Sequence, residues 1–242
     1  MENLDNIEFK NSTKVLSNSF MSNVFMWMFA ALGLTAITAY FFGTSTNFVP
    51  MMFSAKDNGS ISMNIIGWVV TLAPLAIIFI MSWLSEKLKS TTMILLFIVY
   101  SVLMGLSLSF IFLAYTSASI FKTFLITSVM FGVMAVVGYT TNTDLTKFGS
   151  ILIMALIGLI VASIVNLFMH SNTLDYIISF VGVLLFTGLT AYDMQKIKKI
   201  GLAGLDDNET MKKIAIKAAL NLYLDFLNLF LYLLKFFGKG RS

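Results

Sequence analysis

The sequence contains no cysteine, and His170 is its only histidine. Without thiols the chain can form no disulfide, and it has neither a thiol nucleophile nor a thiolate metal site. A single imidazole cannot build a histidine metal centre. His170 instead follows Ser163 and Asn166 on one helix face at the end of an apolar run, which predicts a capping or solvated role.

Charge is also scarce. Only 12% of the residues are charged and 58% are hydrophobic, whereas a soluble domain has roughly 25% charged residues. This amount of polar surface is too small to cover a water-soluble globule. Lipid must therefore solvate most of the chain. The length leaves room for one membrane domain over residues 1–242, with a polar N-terminal segment at 1–18 and a helical bundle over 19–238.

Seven apolar runs are long enough to cross a bilayer, which takes about 20 residues in a helix. Short polar connections such as SEKLKS and TNTDLTK join several of them. The longest connection precedes the seventh run, where Gly201, Gly204 and residues 206–208 predict a turn. The runs cover residues 20–42, 63–84, 92–115, 123–140, 151–169, 174–191 and 216–237. The predicted fold class is all-α, a polytopic bundle of seven transmembrane helices.

Lysine and arginine are unevenly divided between the two sides of this bundle. With the amino terminus inside, eleven lie inside and five outside, as the positive-inside rule requires. The bias would remain if the seventh run re-entered the membrane, so charge does not decide whether that run spans. The net charge of +4 therefore indicates loops at an anionic leaflet and not nucleic-acid binding. The short loops and missing cysteine suit a bacterial inner membrane, with a cytoplasmic amino terminus.

Polar residues of the seventh run fall on one face of the predicted helix. They recur at steps of three or four residues, the spacing of a helical stripe. The stripe consists of Lys217, Asn221, Asp225, Asn228, Tyr232 and Lys235. A lipid-facing acid near mid-membrane costs about 2.5–3.5 kcal/mol on insertion scales, so the stripe is expected to face the bundle interior or water. The alternative is a helix lying on the membrane surface, but such helices carry Lys-rich polar faces.

The sixth run places a second acid, Asp193, about one turn from its inner end. Asp225 lies eight residues beyond Lys217, about 12 Å along its own helix. With tilted helices, the two carboxylates are expected to approach each other. The alternative is that each aspartate pairs separately with a lysine or a backbone group. The face of the sixth run that carries Asp193 also contains Ser179, Gly182, Phe186 and Thr190.

A carboxylate pair at this depth has a physical consequence. Two nearby carboxylates in a poorly solvated site cannot both ionise without a large cost. The pair would therefore take up and release protons as a unit. A protonated pair could hold the two helices together, whereas an ionised pair would repel or bind a cation. Carboxylate oxygens suit Ca²⁺, which gives Asp193 and Asp225 as a candidate Ca²⁺ site.

Two long motifs resemble the Bax inhibitor-one family of transmembrane proteins. They are FTGLTAYDMQKIK at 186–198 and ALNLYLDFLNLFLYLLKFFG at 219–238. The resemblance implies a seven-helix bundle with the seventh helix central and six around it. It also implies a pH-sensitive Ca²⁺ leak in bacterial relatives and control of reticulum Ca²⁺ and cell death in eukaryotic ones.

The resemblance also assigns roles to individual residues. It implies that Asp193 and Asp225 form a pH-sensing pair. The polar stripe itself, and not the resemblance, gives Asn221 and Asn228 as supporting polar residues. A basic residue near the end of the second helix partners the pair in the family. Lys87 is the expected counterpart here, with Lys89 the alternative. Lysine cannot make the bidentate contact that an arginine would make.

Three functions are consistent with membrane aspartates. The first is a Ca²⁺ leak or channel gated by protonation of Asp193 and Asp225, with no cofactor besides the ion. The second is a regulatory membrane protein that transports nothing and modulates membrane proteases or other membrane partners. The third is an intramembrane aspartyl protease, which is disfavoured because that class carries Gly-x-Gly-Asp where this chain has Leu-Tyr-Leu-Asp. We therefore expect no enzyme activity.

Overall fold

The computed structural model describes residues 2–55, 61–203 and 207–240, and most of them are helical. Seven helices are long and apolar enough to cross a membrane, which confirms the predicted fold class. They are α1 (Glu2–Gly43), α3 (Ile65–Trp83), α4 (Ser90–Leu108), α6 (Ser117–Thr140), α7 (Gly149–Met169), α8 (Asn172–Ala203) and α9 (Asn208–Phe237). The shorter elements are α2 (Phe48–Met51), α5 (Ile111–Ala114), the strands β1 (Phe53–Ala55) and β2 (Ile61–Met63), and a 3-10 turn at Leu145–Phe148.

Helix α9 lies at the centre of the bundle. Its principal neighbours are α1, α4, α6 and α8, whereas α3 packs against α4 and α7 packs against α8. Leu222, Tyr223 and Leu229 of α9 are fully buried. The predicted central position of the seventh helix is therefore confirmed. The six other helices form two layers around it, because α3 and α7 have their main contacts with α4 and α8.

The outer helices carry bulky apolar side chains on their outer surfaces. Trp83 on α3 is 88% exposed, and Phe168 on α7 is 77% exposed. Soluble monomers rarely expose contiguous apolar patches of more than a few hundred Å², and here such side chains occur along whole helices. Hydrocarbon solvates such surfaces without cost, so these faces are the lipid-facing exterior of an integral membrane protein.

The connection between the sixth and seventh spans differs from the predicted one. Helix α8 continues to Ala203 and α9 begins at Asn208. The prediction that Gly201 is part of the turn is therefore wrong. Gly201 is helical and buried, and a Cβ there would lie 3.0 Å from Oγ of Ser17 on α1. The glycine permits a close helix contact instead of a chain reversal. Gly204 and Asp206 of the predicted turn lie outside the described residues.

Two other segments depart from uninterrupted helix. The third span is broken after Leu108, where the backbone N–H of Ser109 bonds to the carbonyl of Leu106 at 3.2 Å and the Ser109 hydroxyl donates to the same carbonyl at 2.7 Å. Such local bonds compete with the helical ladder. The connection after α1 contains the short antiparallel pair β1–β2, which the apolar runs do not predict.

Helices α4 and α9 are joined at their first turns by one carboxylate. Lys89, the cap residue of α4, provides no side-chain cap. Glu209 of α9 takes over this role, because its Oε1 accepts from the Ser90 backbone N–H at 2.6 Å and its Oε2 accepts from the Ser90 hydroxyl at 2.8 Å. A negative charge at a helix N-terminus is stabilising, and charge-assisted bonds are stronger than neutral ones.

Glu209→Ala is therefore expected to lower the thermal unfolding temperature of the purified protein in detergent. Ser90→Ala is the matched control, because it removes only the hydroxyl bond and leaves the backbone bond in place. We expect the Glu209 variant to lose more stability than the Ser90 variant. Equal unfolding temperatures for the wild type and Glu209→Ala would contradict the proposed capping role.

Candidate functional site

Asp193 and Asp225 lie on the adjacent helices α8 and α9 and differ in their exposure. Asp225 is buried at 6% exposure, and its Oδ2 has no hydrogen-bond partner among the described residues. Asp193 is half-buried. The two carboxyls are close enough for their charges to interact. Of the two aspartates in the predicted pair, Asp193 is thus partly accessible and Asp225 is enclosed.

Asp193 opens onto a small cavity at the lysine-rich end of the bundle, which polar side chains line together with isoleucine and alanine. The cavity has a volume of about 180 Å³ and lies between α8 and α9. Its polar lining consists of Asp193, Lys196, Lys217 and Asn221. Asp225 is not part of this lining and lies about one turn beyond Asn221 along α9. An ion or a proton in the cavity would reach Asp193 first and Asp225 second.

The polar stripe of α9 is only partly interior. Asp225 is buried and Asn228 and Tyr232 are half-buried, whereas Lys217, Asn221 and Lys235 are exposed. The Asn228 amide donates to the carbonyl of Leu224 at 2.8 Å, so one of its hydrogen bonds stays within its own helix. The stripe is predicted to face the bundle interior or water, and its centre at Asp225 is interior whereas Lys217, Asn221 and Lys235 reach the surface.

The basic residues near the aspartates are not those that the resemblance suggests. Lys87 and Lys89 are exposed in the connection between α3 and α4, and neither forms an ion pair within residues 61–203 and 207–240. Lys196 and Lys217 line the cavity with Asp193 instead. Lys196 is one turn from Asp193 on α8 and its charge acts on that carboxyl.

The described residues contain no group of three or more carboxylate, imidazole or thiol side chains placed to hold a metal ion together. The oxygen ligands available to a cation at this site are the carboxylates of Asp193 and Asp225 and the side chain of Asn221, which lies on the same cavity as Asp193. Ca²⁺ takes six to eight oxygen ligands in proteins. These side chains fit an ion that keeps much of its water better than one fully enclosed by protein.

A second polar cluster lies at the opposite end of the same helices, and the sequence does not predict that its residues come together. Asp175 of α8 is paired with Lys235 of α9 and accepts a 3.3 Å bond from the Asn166 amide of α7. These residues and His170 line a cavity of about 330 Å³. His170 is the C-cap of α7, with a left-handed φ of 50°, which confirms its predicted capping role.

A buried hydrogen-bond network joins α9 to α1 and α4 near mid-bundle. The Thr35 hydroxyl lies 2.7 Å from the Tyr223 hydroxyl and donates to the carbonyl of Ser101 at 2.9 Å. Tyr223 packs edge-on against Tyr100, whose buried hydroxyl has no partner among the described residues. Tyr223 precedes Asp225 by two residues, so this network fixes the part of α9 that carries the acid.

Comparison with known proteins gives the same assignment over nearly the whole chain. Residues 17–242 match the profile of the family described as "Inhibitor of apoptosis-promoting Bax1". The inner membrane protein YbhL of Escherichia coli (strain K12) is 42% identical over 224 residues, which is 92% of each chain. An uncharacterized protein of Borreliella burgdorferi is 43% identical over 228 residues, covering 94% of this chain and 95% of the relative. The chain belongs to the Bax inhibitor-1 family of membrane proteins.

Proposed function

We propose that the protein is a pH-sensitive Ca²⁺ leak whose opening depends on proton loss from Asp193 and Asp225. The observation that supports this most is the unequal placement of the two acids. Asp193 lies on a cavity that Lys196, Lys217 and Asn221 also line, and Asp225 is buried behind it with an oxygen that has no partner among the described residues. A proton arriving from the cavity can thus change the charge of a group that the helix packing encloses.

The physical basis is the cost of an enclosed negative charge. An ionised carboxylate without hydrogen-bond partners is far more costly to bury than a neutral acid. A proton shared by the pair therefore stabilises the closed contact between α8 and α9. Proton loss leaves two negative charges in mutual repulsion, and separation of the helices with entry of water or a cation relieves it.

Ca²⁺ is the transported ion in this proposal and not a resident cofactor. The ionised pair provides hard oxygen ligands, and Asn221 lies on the cavity beside Asp193. An ion that meets two carboxylates and retains water binds well enough to enter and weakly enough to leave, which conduction requires. The protein acts on ions and catalyses no reaction.

The lysine-rich end of the bundle is proposed to face the cytoplasm. The cavity beside Asp193 contains Lys196 and Lys217 and lies at that end, and the positive-inside rule places such an end on the cytoplasmic side. By analogy with the similar inner membrane protein YbhL, we propose a bacterial inner membrane as the location.

The proposal is tested by Ca²⁺ flux into liposomes that contain only the purified protein. In this proposal flux rises as the pH is raised from about 6 to about 8, because a higher pH favours loss of the proton that holds the two acids together. Empty liposomes give the background. A protein that is folded in the liposomes and gives no flux above background at any pH would overturn the proposal. Capture of a specific membrane partner by that protein would then favour the regulatory function.

A further inference from the structure

A second groove at the lysine-rich end has a graded polarity along its length. It has a volume of about 320 Å³ and lies between α1, α4 and α9. Helix α1 contributes Ser19, Asn23 and Trp27 at steps of four residues, and α9 contributes Asn208, Lys212 and Ile216 at the same steps. Helix α4 contributes Ile94. Along α1 and α9 these polar residues precede Trp27 and Ile216, and the apolar side chains of Phe20 and Met211 line the groove beside the polar ones.

This gradient coincides with the depth of the residues in the membrane. Asn208 is the first residue of its spanning helix, and Ser19 is the third residue of the apolar part of α1. The polar end of the groove therefore lies at headgroup level. Trp27 and Ile216 lie eight residues further along their helices, about 12 Å deeper at 1.5 Å per residue. A molecule that fills the groove needs a polar end at the surface and a hydrocarbon end below it.

The polar end of the groove carries a positive charge with no ion-pair partner. Lys212 is exposed, and within the described residues it forms no salt bridge. The neighbouring acids have other hydrogen-bond partners: Glu209 binds Ser90, and Asp207 accepts from the backbone N–H groups of Glu209 and Thr210. The charge of Lys212 acts on the Glu209 carboxylate without forming a salt bridge. The adjacent Lys213 points to the carbonyl of Glu86. An anionic group between Lys212 and the polar side chains of Ser19 and Asn23 would complement this end.

The geometry points to an anionic phospholipid as the occupant of this groove. Its phosphate would lie against Lys212, Ser19 and Asn23, and the upper part of an acyl chain would lie against Trp27, Ile94 and Ile216. Basic pockets between transmembrane helices at the cytoplasmic side bind lipid headgroups elsewhere. The bound lipid joins the first turn of α9 to α1 and α4.

The test measures lipid binding to the purified full-length protein in a neutral detergent by native mass spectrometry. Phosphatidylglycerol is compared with phosphatidylcholine of the same acyl chains, on the wild type and on Lys212→Gln. We expect the wild type to prefer phosphatidylglycerol and Lys212→Gln to lose about five-fold in affinity for it, the effect of one basic residue at an anionic headgroup. Binding of phosphatidylcholine is expected to be unchanged.

Lys213→Gln is the matched control, because it makes the same change in charge one residue away and outside the groove. It should keep the preference for phosphatidylglycerol. Equal binding of the two lipids by the wild type would overturn the assignment, and so would equal losses in the two lysine variants. Inorganic phosphate is added as a competitor at equal concentration, and displacement of the lipid by it would show that the site takes free phosphate instead.

Discussion

Asp225→Asn is expected to remove the pH dependence of Ca²⁺ flux and to hold flux near its low-pH level across the range from about pH 6 to about pH 8. Asparagine has nearly the same shape as a protonated aspartic acid but cannot lose a proton. The buried position of Asp225 is therefore permanently neutral in the variant, and the closed contact between α8 and α9 loses its source of repulsion. In the wild type, the ratio of ionised to protonated acid changes about ten-fold per pH unit around the midpoint.

Asp144→Asn is the control for this variant, since it also replaces one aspartate with asparagine. Asp144 lies outside the membrane-spanning helices, and a hydrogen bond from the Lys199 ammonium lowers the pKa of Asp144 to about 2, with further bonds from Thr146. Because this lowered pKa is far below the range tested, Asp144 remains ionised throughout. Flux in Asp144→Asn should keep the wild-type pH profile. An unchanged profile in Asp225→Asn would contradict the gating role of Asp225.

Gly138→Ala is expected to give the largest loss of stability among the small substitutions considered. Gly138 of α6 lies directly against the backbone of Ala191 on α8, so an added methyl group would collide with the carbonyl group of Ala191. A backbone atom cannot rotate away as a side chain can. Overpacking of this kind costs about 1–3 kcal/mol, which corresponds to a fall of roughly 2–12 °C in the unfolding temperature in detergent.

Gly132→Ala provides the matched comparison on the same helix. A Cβ at Gly132 would meet no atom within 4 Å. Since alanine favours a helix over glycine by up to about 1 kcal/mol, the Gly132 variant should be as stable as the wild type or more stable. Equal losses of stability in the two variants would contradict the attribution of the Gly138 effect to the α6–α8 contact, because Gly132 has no such contact.

The sequence predicts the spans well because lipid imposes one strong requirement on each of them. A span must be apolar over about 20 residues and satisfy its backbone internally, so hydropathy alone locates it. Hydropathy does not indicate where a helix continues beyond the membrane. Gly201 has the composition of a turn, yet it is the small residue that lets α8 meet Ser17. A glycine in a turn and a glycine in a close helix contact are identical in sequence.

The candidate site also contains residues that the sequence predicts and residues that it does not. The two aspartates are predictable because an acid at membrane depth is costly and therefore conspicuous. The lysines around the aspartates cannot be predicted in this way, because many lysines occupy the same end of the bundle. Only the side-chain geometry shows that Lys196 and Lys217, and not Lys87, line the cavity with Asp193. The pairing of Asp175 with Lys235 requires knowing that the far ends of α8 and α9 meet.

The most direct test of the paired-acid account is a double-mutant comparison of flux against pH for Asp193→Asn, Asp225→Asn and the variant with both changes. If the two carboxyls titrate as a unit, each single change removes most of the pH response and the second change adds little. If each acid contributes its own part and the two effects add, the carboxyls act independently and the account is wrong.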